Sequence, residues 1–408
     1  MHAPTVFVLS LSHIPRDGRV RRHCRRLTEA GCRVVAIGLG PTDGEEPIDT
    51  KTAARHITIA EVAWSAIRRI QTAVALSAAR APLTDSATIG IADAIPGVRG
   101  MRLALDHAIR TETPRTPVIV ANDWTTLPAA LEAHARWQIS IHYDTHELAT
   151  EEHIDRAAWR LLFPPVIRKI ERLGATAARS ISCVSPSISA IMSKEYGLSN
   201  SPIVIPNLPD NPPIAPSPVG TPVTVLYHGI FTSNRGLEAL IRSVSEWPNG
   251  FRLVLRGAAN SKRVSAQIDR AVSHQTVAHR VALEPMAPQN DVVTLANKAD
   301  IGIFLPDLSL RQNRYALPNK LFEYLYAGLL PIVPANTDMA DVLSAHGIGA
   351  VVPGGRADAL PALLAALTPD EIVAAKSQAY QASINLHASS TNRGIVEILE
   401  RSHAAAFD

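Results

Sequence analysis

A chain of 408 residues is too long for one ordinary hydrophobic core and suits two domains of roughly 200 residues each. Hydrophobic residues make up 46% and charged residues 19%, a globular balance that excludes a disordered or fibrous chain, and a formal charge of +3 gives no electrostatic footprint for nucleic acid. Cys24, Cys32 and Cys183 are too few and too scattered for a disulfide framework or a zinc site, which favours a reducing compartment.

Met1–Ser12 lacks a basic leader, and its apolar run is shorter than a signal peptide needs. No run approaches the ~18 to 20 apolar residues of a membrane span. The expectation is a cytoplasmic protein, with peripheral membrane contact left open.

Val6–Ser10 reads as a buried strand, followed by a loop to Gly18. Arg19 to Ala30 carries Val20, Cys24 and Leu27 at helical spacing and is closed by Gly31. Arg33–Gly38 is the next strand, completing a βαβ unit with a buried parallel sheet. On this helix Arg21, Arg22, Arg25 and Arg26 are predicted to form a solvated face. No aromatic residues interleave with them for base stacking, so nucleic acid is not expected as a partner.

Between Thr50 and Asp106 the chain is rich in Ala and Ile, with Trp64, Arg68 and Arg69 on a predicted helix. It reads as a helical excursion packed on the sheet; a lid, an acceptor-facing hairpin or a lipid-surface helix are the alternatives. Short apolar strands then recur at Pro117–Ala121, Ile139–Tyr143, Ser180–Val184 and Pro202–Pro206.

Asn207 to Pro222 holds six prolines in sixteen residues, which neither a helix nor a central strand accepts, so it is predicted as a linker. The βα rhythm restarts at Val223–Gly229 and continues through Phe251–Gly257, Arg280–Leu283, Ile301–Leu305 and Leu330–Pro334. The predicted organisation is an α/β domain over 1–207, a Pro-rich linker over 208–222, a second α/β domain over 223–385, and a C-terminal helix over 386–408 returning towards the first domain.

The strongest chemical signal is Ala316–Val333. Pro318 suits the first turn of a helix and Gly328 the position past its end. Backbone N–H groups near Asn319 and Lys320 would attract a phosphate, and Lys320 adds a full charge. Glu323, about one turn further on, suits a ribose, the alternative being a surface ion pair. In His228–Gly236, Gly229 allows close backbone approach and Arg235 suits phosphate recognition. Arg256, before Gly257, is predicted to converge with Arg235 on the same sheet edge, with an ion-pair role weighed equally.

In the first half His146 and Glu147 follow a predicted strand, and Asn122-Asp123 occupies the analogous place after another. No G-x-G-x-x-G follows the first strand and no P-loop is present, which disfavours dinucleotide oxidoreductases and NTPases. No Asp-x-Asp pair is present to hold a metal against a diphosphate. Neither a metal nor a cofactor is therefore expected, and leaving-group charge falls to Arg, Lys and a helix dipole.

Taken together, Asp17 with Arg19-Val20, Asn122-Asp123 with Thr126-Leu-Pro, Tyr143–Leu148, Val204–Asn207 and Pro318–Glu323 with Ala327-Gly328 resemble the blocks of the retaining GT-B glycosyltransferases of family 4. The resemblance implies two Rossmann-like domains facing each other across a cleft. It implies a reaction that moves a hexose or aminohexose from a nucleotide sugar, a UDP-sugar being favoured, to an acceptor in polysaccharide, glycolipid or glycoconjugate assembly. It implies that His146 contacts the donor sugar near its anomeric carbon, that Arg235 with Lys320 meets the diphosphate, and that Glu323 binds the ribose. Arg256, Gly229, Asn319, Tyr315 and Asn313 complete the expected donor side; Asp17, Arg19, Asp123 and Glu147 the acceptor side. Two positions depart from the family pattern: Tyr315 stands where a Glu usually precedes Glu323 by eight residues, and Ile230 stands where an Arg is common. The alternatives are a sugar-nucleotide 2-epimerase of the same fold and a catalytically silent nucleotide-sugar-binding protein. Neither the acceptor nor the oligomeric state is legible.

Overall fold

The computed structural model describes residues 4–40, 53, 55–60, 66–78, 84–154, 156–390 and 394–404. The chain divides into two compact units, Met1–Pro206 with Asn392–Asp408, and Asn207–Thr391.

The first unit is built on seven parallel strands: β1 Thr5–His13, β2 Arg33–Leu39, β3 Arg55–Ile59, β4 Val118–Asn122, β5 Ser140–Thr145, β6 Ser180–Cys183 and β7 Ile203–Val204. Their order is β3-β2-β1-β4-β5-β6-β7. Val6–Leu9 and Val118–Ala121 are completely buried, as central strands of a parallel sheet covered on both faces must be. The chain winds outward in both directions from the β1–β4 pair, which leaves a crevice beyond the carboxyl ends of these strands.

Asp17 sets the helix Gly18–Glu29 over that edge. Its Oδ1 accepts from the backbone N–H groups of Arg19 and Val20, both at 3.1 Å, and Ser12 Oγ donates to its other oxygen at 2.7 Å. Val20, Cys24 and Leu27 face the core as predicted, but the Arg face is not simply solvated. Arg22 is buried along with Arg19 and His23, while Arg21, Arg25 and Arg26 keep partial exposure. One side of this helix packs polar groups onto the sheet edge, a pattern that hydrophobic periodicity alone does not reveal.

In the stretch from Thr50 to Asp106, β3 adds in parallel to β2, a strand not predicted. The helices Ala66–Ala78, Asp85–Ala92 and Val98–Glu112 follow. Val98, Met101, Leu105 and Ala108 of the last are buried against the sheet, Arg69 is exposed, and Trp64 and the side chain of Arg68 lie outside the described residues. The helix Gly394–Ser402 belongs to this unit as well: Ile395, Val396 and Leu399 join Val6, Val8, Val20, Cys24 and Leu27 in one apolar cluster.

The second unit carries six parallel strands, β8 Val223–His228, β9 Phe251–Arg256, β10 Val281–Glu284, β11 Ile301–Ile303, β12 Leu330–Pro334 and β13 Ala350–Val352, in the order β10-β9-β8-β11-β12-β13. The Pro-rich stretch is fastened to this unit. Ile214 N donates to Tyr326 O at 2.8 Å and Ser217 Oγ to Asn297 O at 2.6 Å. A buried ion pair, Lys376 Nζ to Asp300 Oδ1 at 2.9 Å, holds the helix Pro369–Ser390 to the start of β11, and Asp300 also accepts from Thr224 N. Residues 386–390 therefore end a second-unit helix, and only the helix after them returns to the first unit.

Two glycines bring the edge of the second sheet together. A Cβ on Gly302 would fall 2.3 Å from the Tyr324 ring, so only glycine lets the helix Asn319–Tyr326 pack so closely on β11. A Cβ on Gly257 would fall 1.9 Å from Gly229 O, so only glycine lets the loops after β8 and β9 lie side by side. Among the described residues, no helix is long and apolar enough to cross a membrane.

Candidate active site

In the first unit the polar groups gather at the end of β5. Strand alternation directs His142 and Asp144 to one face, with His146 two residues further on. Parallel pairing puts Ser180 and Ser182 of β6 in register with His142 and Asp144. Asp144 is fully buried and accepts from Arg19 Nε at 2.7 Å, Arg19 Nη2 at 2.6 Å and Ser182 Oγ. Arg19 also donates to Ile205 O at 2.6 Å. Burial by itself would raise the Asp144 pKa, but the paired guanidinium outweighs it and holds the carboxyl well below the usual range.

His146 is clamped between two carboxylates. Its Nε2 lies 3.1 Å from Asp144 Oδ2 and its Nδ1 lies 3.2 Å from Asp123 Oδ2. Its backbone N–H donates to Asp123 Oδ1 at 3.1 Å. Burial works against the imidazolium, yet Asp123 and Asp144 overcome it and raise the His146 pKa to about 9. Asp123 adopts φ +62°, a left-handed conformation costly for a residue with a Cβ, and it does so where the turn after β4 must aim its carboxylate at His146.

Of the residues predicted on this side, His146 and Asp123 come together. Asp17 and Arg19 are engaged in the fold, the first as a helix cap and the second as the partner of Asp144. Glu147 is exposed. Sequence reasoning passed over Asp144, His142, Ser180 and Ser182. The signal was polar alternation on two strands that are otherwise apolar.

In the second unit the loop after β8 and the start of the helix Asn319–Tyr326 lie together. Pro318 (φ −72°, ψ 150°) is the cap residue, one position before the predicted first turn, and exposed Asn319 opens the helix. Lys320 Nζ lies 4.2 Å from the centroid of Phe304 and 4.7 Å from that of Tyr227, and it donates to Tyr227 Oη at 3.4 Å. The Arg235 guanidinium carbon lies 5.2 Å from the same Phe304 centroid. Gly229 (φ +114°) sits under Lys320: a Cβ there would come within 3.5 Å of Nζ. Burial first, and then Arg235, push the Lys320 pKa well below its usual value, against the opposing pull of Glu323. Among the described residues neither Lys320 nor Arg235 has a carboxylate within ion-pair distance.

Glu323 lies one turn further along, with Oε2 2.9 Å from His228 Nε2, a close contact off the line of a hydrogen bond. His228 stacks on Tyr324 at 4.8 Å between centroids. Arg256 does not stand open beside Arg235 as predicted: it is buried and grips Glu284 Oε2 through Nε at 2.8 Å and Nη2 at 2.7 Å. Parallel register sets these two side by side on β9 and β10, which is why the ion-pair reading prevails. Asn313 is likewise turned inward, donating to Asp307 O at 2.7 Å and bracing its own loop. Tyr315 is half-buried with Arg311 over its ring, and Ile230 is exposed. Among the described residues no cluster of His, Cys, Asp and Glu could hold a metal ion.

No family model matches the sequence, and no curated protein matches it. Solved structures do. Sucrose-phosphate synthase from Thermosynechococcus elongatus superposes with a TM-score of 0.75 at 15% identity, covering 98% of this chain and 100% of its own. An α,α-trehalose-phosphate synthase (UDP-forming) from Burkholderia vietnamiensis gives 0.65 at 12%, covering 100% of both chains. HepE from Anabaena, solved with UDP, gives 0.64 at 12%, covering 99% of both. The chain has the GT-B fold, with two parallel-sheet α/β domains. At these identities the likeness is one of fold.

Proposed function

We propose that this chain is a retaining, metal-independent glycosyltransferase of the family-4 type. In this reading it moves a hexose or aminohexose from a nucleotide sugar, a UDP-sugar being favoured, to an acceptor. The observation that carries the proposal is the pair Lys320 and Arg235, two cations on one aromatic ring, without carboxylate partners among the described residues, beside a helix start and a glycine. A partly desolvated cation without a counter-ion is costly, and a diphosphate would repay that cost. In this reading Glu323, one turn along, accepts from ribose hydroxyls. That HepE is solved with UDP, and with UDP and glucose, and that the trehalose-phosphate synthase is described as UDP-forming, supports the choice of nucleotide. The family assignment itself rests on the sequence blocks.

The roles follow from charge. Lys320, Arg235 and the N–H groups at Asn319 and Lys320 meet the negative charge that develops on the leaving diphosphate. His146, held as an imidazolium between Asp123 and Asp144, serves the donor sugar as a positive charge. It is already protonated at neutral pH and cannot act as the base, so deprotonation of the acceptor falls to the leaving phosphate. This is the requirement of a front-face, retaining displacement. With Tyr315 in place of the family's sugar-contacting Glu, sugar recognition differs or falls to neighbours, and with Ile230 in place of an Arg the diphosphate is left to Arg235 and Lys320.

Calorimetric titration with UDP, GDP, ADP and their common sugar conjugates tests the reading. One nucleotide should bind selectively, and its sugar conjugate should be consumed in EDTA. Absence of binding to all of them by folded protein would overturn it. Binding without transfer or hydrolysis would instead make the chain a silent nucleotide-sugar-binding protein.

A further inference from the structure

The polar face of β5 extends beyond the residues that hold His146. His403, just past the helix Gly394–Ser402, brings Nε2 to within 3.1 Å of Ser180 Oγ. Ser180 Oγ lies 2.8 Å from His142 Nδ1, and His142 Nε2 lies 2.9 Å from Ser182 Oγ. Ser182 Oγ then reaches Asp144 Oδ1. His142, Ser182 and Asp144 are fully buried and His403 nearly so.

The proton positions in this chain follow from one end. Asp144, ionised against Arg19, can only accept, so Ser182 donates to it. Ser182 must then accept from His142, which therefore carries its proton on Nε2. Burial pushes His142 down to about 4, so the ring is neutral near pH 7 and its Nδ1 is a lone pair that takes the Ser180 proton. The Ser180 oxygen in turn accepts from His403 Nε2–H. Burial pushes His403 down to about 3, which leaves its Nδ1 bare, and that atom is buried without a hydrogen-bond partner. The opposite sense would aim an oxygen lone pair from Ser182 at the Asp144 carboxylate.

We propose that His403, Ser180, His142 and Ser182 form a one-directional hydrogen-bonded relay through which the C-terminal segment positions Asp144 and, by way of Asp144, His146. The proposal deepens the site reading above, because it is His146 that the relay governs. Each donor polarises the next, so part of the Asp144 charge is answered by the relay and its hold on His146 is moderated. The other groups facing His146 are Asp123 after β4, and Arg19 and His23 from the helix Gly18–Glu29. All four relay residues are positioning residues.

The test is nitrogen NMR on histidine-labelled protein, in the wild type and in Ser182→Ala, Ser180→Ala and Ser180→Thr. In the wild type His142 and His403 should both be protonated on Nε2. Losing the Ser182 donor should move the His146 titration midpoint upward by about half a pH unit or more. Ser180→Ala should move it the same way by less, and Ser180→Thr should restore it. Ser180→Ala leaves Asp144 with its direct partners, so a folded variant is to hand if Ser182→Ala does not fold. A wild-type His142 protonated on Nδ1, or a His146 midpoint unmoved in the folded variants, would overturn the relay. These readouts need no substrate, so failure to bind nucleotide would sink the glycosyltransferase reading and leave the relay standing.

Discussion

Lys320 and Arg235 rest on the ring of one residue, Phe304, with their charged ends 4.2 and 5.2 Å from its centroid. A ring quadrupole eases a cation but does not neutralise it, so the pair stays poised for an anion. Lys320→Met should weaken UDP binding about tenfold or more, the worth of a charge-assisted hydrogen bond. Thermal stability should hold or rise, since a half-desolvated charge is removed. Calorimetry and a melting curve on one sample decide it: unchanged affinity with a lower Tm would make Lys320 a structural residue.

Glu323→Ala should separate ribose from phosphate. UDP affinity should fall by about tenfold to a hundredfold, the ~1.5–3 kcal/mol of hydrogen bonds to a carboxylate. Affinity for inorganic pyrophosphate should hold, or rise as a negative charge leaves the neighbourhood of Lys320. Equal losses for both ligands would mean that Glu323 shapes the helix rather than reads the sugar ring.

Arg256→Ala should behave unlike Arg235→Ala. Arg256 is buried against Glu284, so its loss should appear mainly as lower stability, by about 1–3 kcal/mol in urea unfolding. Arg235→Ala should leave stability within about 0.5 kcal/mol and lower turnover more than donor binding. Were the two variants indistinguishable by unfolding, the division of roles drawn from their different surroundings would fail.

His146 makes stability depend on pH with a definite sign. Its folded pKa of about 9 lies above the unfolded value of about 6.5. Its contribution is therefore complete below pH 6.5 and is lost as pH rises through 9. The two and a half units amount to about 3 kcal/mol at most. Urea unfolding between pH 6.5 and 9.5 should show the wild type losing stability more steeply than His146→Gln. Parallel profiles would show that the imidazolium clamp contributes little.

The rhythm of strands was legible because parallel strands covered on both faces must be apolar runs, and Val6–Leu9, Val118–Ala121 and Val225–Leu226 are such runs. β3 escaped because Arg55–Ile59 is a partly exposed edge strand with no such run. The helix at Asn319 could be read from Pro318 and Gly328, whose backbone preferences are local. Arg256 could not be placed, because its partner Glu284 lies on a neighbouring strand and only register brings them together. The relay was half visible: His142, Asp144 and His146 alternate in plain view, but His403 stands more than 250 residues away, and nothing local marks its destination.

The first unit takes its last helix from residues that follow the whole second unit. As the chain is synthesised, residues 207–391 all precede Ile395, Val396 and Leu399, the side chains that cover Val20, Cys24 and Leu27. The first unit to be made is thus the last to be finished, and until then it exposes an apolar patch on the very helix that carries Arg19.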